Sequence, residues 1–307
     1  MHKNSMDLSK DAQQRFRSLA DLPLTVTVHH EGFFTGFGSS MLALWNRRKL
    51  IKQLAKRELK SRYKDSVLGY AWTLAKPLVN LLIYYLVIGR ILGAERSVPD
   101  FAVYVFAGLT LWTFFSTMVN SATTSIVANA GIVKKVYLPR EVFPLSAILA
   151  SFVDFFSQLA ILIIGAGLIA GIPLKYTFTY GLLSLAVCIV WALACGLFFS
   201  AVNVYLRDVQ YIVEVLLMLG FWLTPSVYPY TMLASVAPSW AINIYMLNPT
   251  AIASMGFQKA FWAAGDQVTW PPDLTWRLWI MLLVGLVLSF VAQRVFARLQ
   301  GNFAQEL

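Results

Sequence analysis

The chain has 307 residues, of which 58% are hydrophobic and only 13% charged, about half the charge that a water-soluble surface requires, which excludes an ordinary soluble enzyme. Its net charge of +10 could suit nucleic acid, but nine basic residues crowd between Arg47 and Lys64, just before the first long apolar run, where an inner-leaflet anchor belongs. Cys188 and Cys195 lie in one apolar run and His2, His29 and His30 all lie in the N-terminal tail, so neither a disulfide framework nor a Cys/His metal site is expected.

Residues 1–40 are mixed and polar, without the basic start and apolar core of a secretory signal. They read as a cytoplasmic tail, with the first span acting as an uncleaved signal-anchor. Residues 41–66 read as an amphipathic helix in the interface plane. Ile51, Ala55, Leu59 and Tyr63 step by four beside Leu50 and Leu54, while Arg48, Lys52, Lys56, Arg57, Lys60 and Lys64 fill other positions, their long stems free to snorkel to phosphates. Residues 67–307 hold six stretches near the length of about 20 apolar residues that a bilayer demands. They run from Ala71 to Leu92, Val103 to Val127, Ser146 to Ala170, Phe178 to Val202, Tyr211 to Leu223 and Leu274 to Val291. The expected fold is an all-α integral membrane protein with six transmembrane helices. With the N-terminus inside, 15 Lys and Arg flank the spans on the cytoplasmic side and 5 on the other, which places both termini in the cytoplasm.

Between spans five and six, the stretch from Thr224 to Trp262 is apolar but broken by Pro225, Pro229, Pro238 and Pro249. Two short helices that dip into the outer leaflet and return are expected, because proline stops helices and irregular backbone is tolerated at membrane depth only when covered by protein. No GxxxxGK[ST] loop is present for ATP, and histidines confined to the tail supply no Ser/His/Asp constellation, so the chain is not expected to be an enzyme by itself.

At membrane depth the ionisable residues are Lys76, Asp154 and Glu214. An intramembrane charge is a functional candidate. Lys76, one turn into its span, is expected to snorkel, and Asp154 to pair with Lys76 or to line a polar passage. Trp112, Phe114, Phe115, Phe152, Phe155, Phe156 and Trp191 lie inside spans. Packing is the ordinary role of such residues, but their faces also stack on the C–H surfaces of sugars. Lys76, Trp112, Phe115, Phe152, Asp154 and Phe155 are therefore the candidates for a conduit. An ion-coupled carrier would want midplane polar sites and an internal repeat. A membrane glycosyltransferase would want clustered carboxylates or histidines, whereas Asp100, Asp266 and Asp273 are scattered.

Several local patterns, in order, resemble one family. Arg57 through Trp72 (RELKSRYKDSVLGYAW), followed by Pro77, resembles the entry to the first span of type 2 ATP-binding-cassette exporter permeases. Asn203 through Arg207-Asp208, Phe221 through Tyr228, Asn248-Pro249 and the terminal FAQEL also fit. The resemblance covers Leu44 to Leu307 and is nearest to the subgroup that exports lipid-linked polysaccharides such as O-antigen or galactan, with teichoic acid or capsule as alternatives. It implies a homodimer in the cytoplasmic (inner) membrane, working with two copies of a separate ATP-binding subunit. That partner would bind ATP and Mg, and this chain would carry no cofactor and no nucleic acid. The resemblance also implies roles for particular residues. Lys134, Lys135, Val136, Tyr137, Leu138, Pro139 and Arg140 would form a coupling segment seated on the ATPase. Arg57, Arg62, Tyr63, Lys64, Leu68, Gly69 and Trp72 would flank the entrance and attract the lipid head group. Thr224, Pro225, Tyr228, Asn248 and Pro249 would close the outer end.

Overall fold

The computed structural model describes residues 36–62, 69–136, 138–169 and 177–307, excepting the side chains of Asp266 and Gln267. Tyr63, Lys64, Leu68 and Tyr137 lie outside the described residues. Contacts divide the chain into two units, Met1–Ser39 and Ser40–Leu307. Within the first, only residues 36–39 are described, where the Ser39 hydroxyl donates to the Gly36 carbonyl at 3.0 Å in the opening turn of a helix.

The described residues contain helices and connecting turns and no strand. In chain order the α-helices are α1 (Gly36–Asn46), α2 (Arg48–Arg62), α3 (Trp72–Tyr84), α4 (Phe101–Ala128), α5 (Ala130–Val133), α6 (Val142–Ile169), α7 (Phe178–Tyr205), α8 (Val209–Trp222), α9 (Tyr230–Val236), α10 (Ser239–Tyr245), α11 (Pro249–Phe261), α12 (Leu274–Leu299) and α13 (Phe303–Glu306). A tight turn before α3 and a wide helical stretch after it extend that helix to Gly69–Ile91. Five stretches are long and apolar enough to cross a membrane: Gly69–Ile91, α4, α6, α7 and Leu274–Glu306. The sixth apolar helix, α8, has 14 residues, only about 21 Å at 1.5 Å per residue.

α4 stands at the centre, against α6, α7 and α11, and α12 closes on α7. Lipid is as apolar as leucine, so helices associate there through close packing and hydrogen bonds rather than by hiding apolar area from water. α4 and its partners have the small residues for this. Gly108 lies so close to the Thr224–Ser226 turn that a Cβ there would meet the Ser226 Cα at 2.7 Å and the Gln258 amide at 2.9 Å. On the far side, the Trp191 indole donates to the Met281 carbonyl at 2.8 Å and the Ser289 hydroxyl to the Val190 carbonyl at 2.8 Å, which fastens α12 to α7. α4 and α12 both start after a Pro-Asp pair whose aspartate has positive φ, 52° at Asp100 and 59° at Asp273, a region that aspartate tolerates better than most residues.

The proline-broken stretch forms three short helices rather than the expected two. α8 stops at Trp222, the chain turns through Thr224-Pro225, and α9 and α10 make an excursion. The chain then returns to Asn248, whose side-chain amide donates to the Leu223 carbonyl at 2.9 Å. From there α11 starts with an Asn248 cap that accepts from the Thr250 and Ala251 amides, with Pro249 in its first turn. Thr250 and Ala253 stand beside Leu111 and Phe115 of α4, about 15 Å along α4 from Phe101. At the other end of α11 the Trp262 indole reaches the Pro99 carbonyl at 2.8 Å. α8 and α11 are thus two half-length helices joined by an excursion.

Candidate conduit and coupling surface

The end of the bundle where α4 finishes and α6 begins carries Lys134, Lys135 and Arg140 and is called the basic end below. α4 stops at Asn129, α5 adds one turn, and Lys134, Lys135 and Val136 are exposed while Leu138, Pro139 and Arg140 are half-buried. This turn sits on a second, smaller core. Val133 is buried with Ile126, Phe143, Phe296 and Phe303, and the Arg140 guanidinium lies 5.8 Å over the Phe303 ring. The C-terminal FAQEL is therefore part of the base of the segment: Phe303 is fully buried, and Arg207 reaches the Leu307 carbonyl at 3.5 Å. Behind Arg140, buried Glu141 accepts from the Gln293 amide at 2.9 Å, the Gln293 carbonyl oxygen accepts from Arg294 at 2.6 Å, and Arg294 also donates to Ser40 at 3.3 Å. Burial raises the Glu141 carboxyl above the usual range, with Gln293 and Arg294 opposing.

α2 packs along α6. Arg57 donates to Asn129. Near the far end of α2, Arg62 pairs with Asp154 at 3.1 Å, donates to Ser121 at 2.9 Å and lies 3.6 Å from Glu58. Asp154 thus pairs with Arg62, and no ion pair joins it to Lys76, which is exposed on α3. Tyr70 bonds to Ser157, one turn further along α6, and to the Val153 carbonyl. Gly69, with φ of 47°, sets the entry into this turn, and Trp72 is exposed.

A groove of about 470 Å³ opens between α3, α4 and α8. Trp112, Ser116 and Asn120 step along one face of α4 with Thr117 beside them, and Glu214, Leu217, Met218, Phe221 and Trp222 make the facing stripe of α8. Tyr84 closes the α3 side, 5.8 Å from the Phe221 ring, which lies 6.1 Å from Trp112 and 5.4 Å from Trp222. Gly220 makes this approach possible: a Cβ there would meet the Trp112 ring at 2.8 Å. Of the six residues read as conduit candidates, Trp112 lines this groove. Phe115 lines a small apolar space with Leu111, Cys188 and Trp191. Phe155 is buried on Phe114 with ring centres 4.3 Å apart, and Phe152 packs on the edge of Phe114. Tyr84, Ser116, Thr117, Asn120, Phe221 and Trp222 escaped that reading. The repeat of four on α4 and the stripe of three and four on α8 were the available signals.

The structure brings Thr224, Pro225, Tyr228, Asn248 and Pro249 together above the groove. The Thr224 hydroxyl donates to the Gly220 carbonyl at 2.9 Å and lies 3.0 Å from that of Thr250. The Pro225 carbonyl accepts from Tyr104 at 2.9 Å and from Gln258 at 2.8 Å. Tyr228 donates to the Trp222 carbonyl at 2.8 Å and lies 3.4 Å from the Tyr245 hydroxyl.

A bundle of long apolar helices, one broken at mid-length beside a polar and aromatic groove, is the architecture of a multi-pass membrane protein. Residues 49–262 match the family described as ABC-2 type transporter, and the chain belongs to that family. It is 27% identical over 259 residues to the O-antigen export system permease protein RfbA of Klebsiella pneumoniae, covering 84% of this chain and 95% of that one. It is 28% identical over 265 residues to the O-antigen export system permease protein RfbA of Myxococcus xanthus, covering 86% and 97%. Over 190 residues it is 27% identical to the polysialic acid transport protein KpsM of Escherichia coli, covering 58% and 69%.

Proposed function

We propose that this chain is the membrane permease of an ATP-driven polysaccharide exporter, that two copies of it pair, and that each is driven by a separate ATP-binding subunit. The observation that carries the reading is the groove, whose aromatic faces and neutral polar side chains match the alternating C–H faces and hydroxyls of a sugar chain. Groove-lining residues of α8, including Met218 and Trp222, stay exposed, so a second copy facing this helix would complete a conduit. The relatives named for O-antigen export, matched over nearly their full length, support a lipid-linked glycan of that kind. Capsule or teichoic acid export would use the same architecture.

Lys134, Lys135 and Val136 project from a firmly backed turn. In this reading the turn faces the cytoplasm and seats on the partner, which binds ATP and Mg and pushes when it closes. A turn anchored on a packed core passes such a push to α4 and α6 as a rigid-body shift. Arg57 and Arg62 stand near the entrance, where a phosphate or pyrophosphate head group would gather, and α9 with α10 would cover the outer end.

Depletion of the protein in cells is expected to accumulate a lipid-linked glycan facing the cytoplasm, identifiable by mass analysis, and the purified protein should retain an ATPase. Without such a partner the reading fails in favour of an ion-coupled carrier. Changing Lys134, Lys135 and Arg140 to alanine should let ATP hydrolysis continue while export falls about tenfold, roughly 1.4 kcal/mol of lost coupling. Undiminished export would remove the docking role.

A further inference from the structure

The groove has a feature that the conduit reading leaves unused. Its lining holds one ionisable carboxyl, Glu214, and no lysine, arginine or histidine. Glu214 is exposed, lies in the second turn of α8, and makes no ion pair among the described residues. Lys76, the basic residue of α3, is not part of the lining. An ionised group so placed is costly in lipid and cheap in a water-filled passage.

A carboxylate accepts hydrogen bonds, and the hydroxyls of an uncharged sugar donate them. A glycan carrying carboxylates or phosphates brings extra acceptors and negative charge to a negative wall.

We propose that Glu214 makes this groove a charge-selective glycan subsite, admitting uncharged sugars and disfavouring polyanionic ones. The proposal rests on the conduit reading and adds to it the class of cargo. Glu214 acts as a specificity residue: it sets the potential that the passing chain meets, and Trp112, Phe221 and Trp222 supply faces that every sugar shares.

The test uses the full chain in lipid nanodiscs with Cys188→Ala, Cys195→Ala and Thr117→Cys, the last placing a thiol in the groove. A cationic and an anionic methanethiosulfonate reagent report the local potential through the ratio of their reaction rates, each normalised to a free thiol in solution. Neutral dextran oligosaccharides and sialic acid oligomers are then compared as protectants. The cationic reagent is expected to be favoured about tenfold, as one carboxylate lining the same partly shielded cleft requires. That preference should vanish in Glu214→Gln and reverse in Glu214→Lys. Dextran should protect the thiol and the sialic acid oligomer should not, until Glu214→Gln lets both protect. A ratio unchanged by Glu214→Gln, or equal protection by both oligomers in the unsubstituted groove, overturns the charge filter while leaving the conduit standing. Failure of both oligomers to protect a thiol that the reagents reach overturns the conduit reading and the filter with it.

Discussion

α3 and α4 are both apolar enough to cross a membrane, yet within their most apolar stretches 78% of α4 is buried in protein and only 6% of the α3 span is. The difference lies in side-chain size and bonding rather than hydrophobicity. α4 brings Ala107, Gly108, Ala122, Thr123 and Ser125 to its neighbours, all buried. The Gly69–Ile91 span built on α3 presents Leu78, Val79, Leu82, Ile83, Leu86 and Val87 outward. In lipid a bulky apolar face gains little by moving against another helix, whereas a small-residue face gains close contact. The molecule thus has a fixed centre, α4 with α7 and α11, and a pair of loosely held helices, α3 and α8, that border the groove.

The sharpest test of that contrast is overpacking. Gly108→Leu forces side-chain atoms into the backbone of Ser226 and should cost about 3 kcal/mol or more, seen as loss of monodisperse protein or a large drop in detergent unfolding temperature. Leu82→Ala on α3 truncates an outward-facing side chain and should leave protomer unfolding within about 0.5 kcal/mol. If two copies pair through α3, its effect belongs in the copy number read by native mass analysis. Equal destabilisation by both changes would mean that α3 is held as firmly as α4.

Next in size is the link between α2 and the fixed centre. Arg62 and Asp154 are mostly buried, with side chains 21% and 15% exposed. Removing one partner of a fully buried pair costs 3–5 kcal/mol, and partial exposure brings Asp154→Ala down to about 2 kcal/mol. Reversing both charges, Arg62→Asp with Asp154→Arg, should recover part of that loss. If the reversed pair is no better than the single change, Ser121 and Glu58 rather than the ion pair hold Arg62.

The element types were legible in the sequence because membrane helices must satisfy their own backbone within one segment, which leaves long apolar runs and proline stops in plain view. The helix breaks on either side of the excursion were legible for the same reason, since Thr224-Pro225 and Asn248-Pro249 are helix-stop and helix-start chemistry. The groove lining was harder to read. Phe155 and Trp112 look alike as intramembrane aromatics, and only packing separates a ring stacked on Phe114 from one facing the groove. The partner of Asp154 was hidden too, because Arg62 lies 92 residues away in the chain, and periodicity carries no information at that range.

On the loose side of the molecule, stability and function should separate. Trp222 is 56% exposed and lines the groove. Trp222→Ala should change unfolding by less than about 1 kcal/mol while lowering export about tenfold, one aromatic platform being worth roughly 1.4 kcal/mol in passage. Pulse-labelled surface glycan measures the export, and a thermal melt of the same preparation measures the fold. Parallel loss of both would place Trp222 in the structural core instead.

The smallest effect expected is at the basic end, where Glu141 ties the exposed turn to α12 through Gln293. Its carboxyl is raised by burial, against the opposing influence of Gln293 and Arg294. The folded protein therefore holds a proton in a window, opening at the ordinary glutamate range near pH 4.5, where the unfolded chain has released it. With more protons bound in the folded state, stability falls as pH rises through that window and is regained on acidification. The melting temperature in detergent should rise for the native chain, relative to Glu141→Gln, as pH is lowered through that window. Glutamine keeps the acceptor for Gln293 and cannot titrate, so the difference between the two curves isolates this one carboxyl. If the two curves run parallel, Glu141 keeps an ordinary titration in the folded chain, and Arg294 offsets its burial completely.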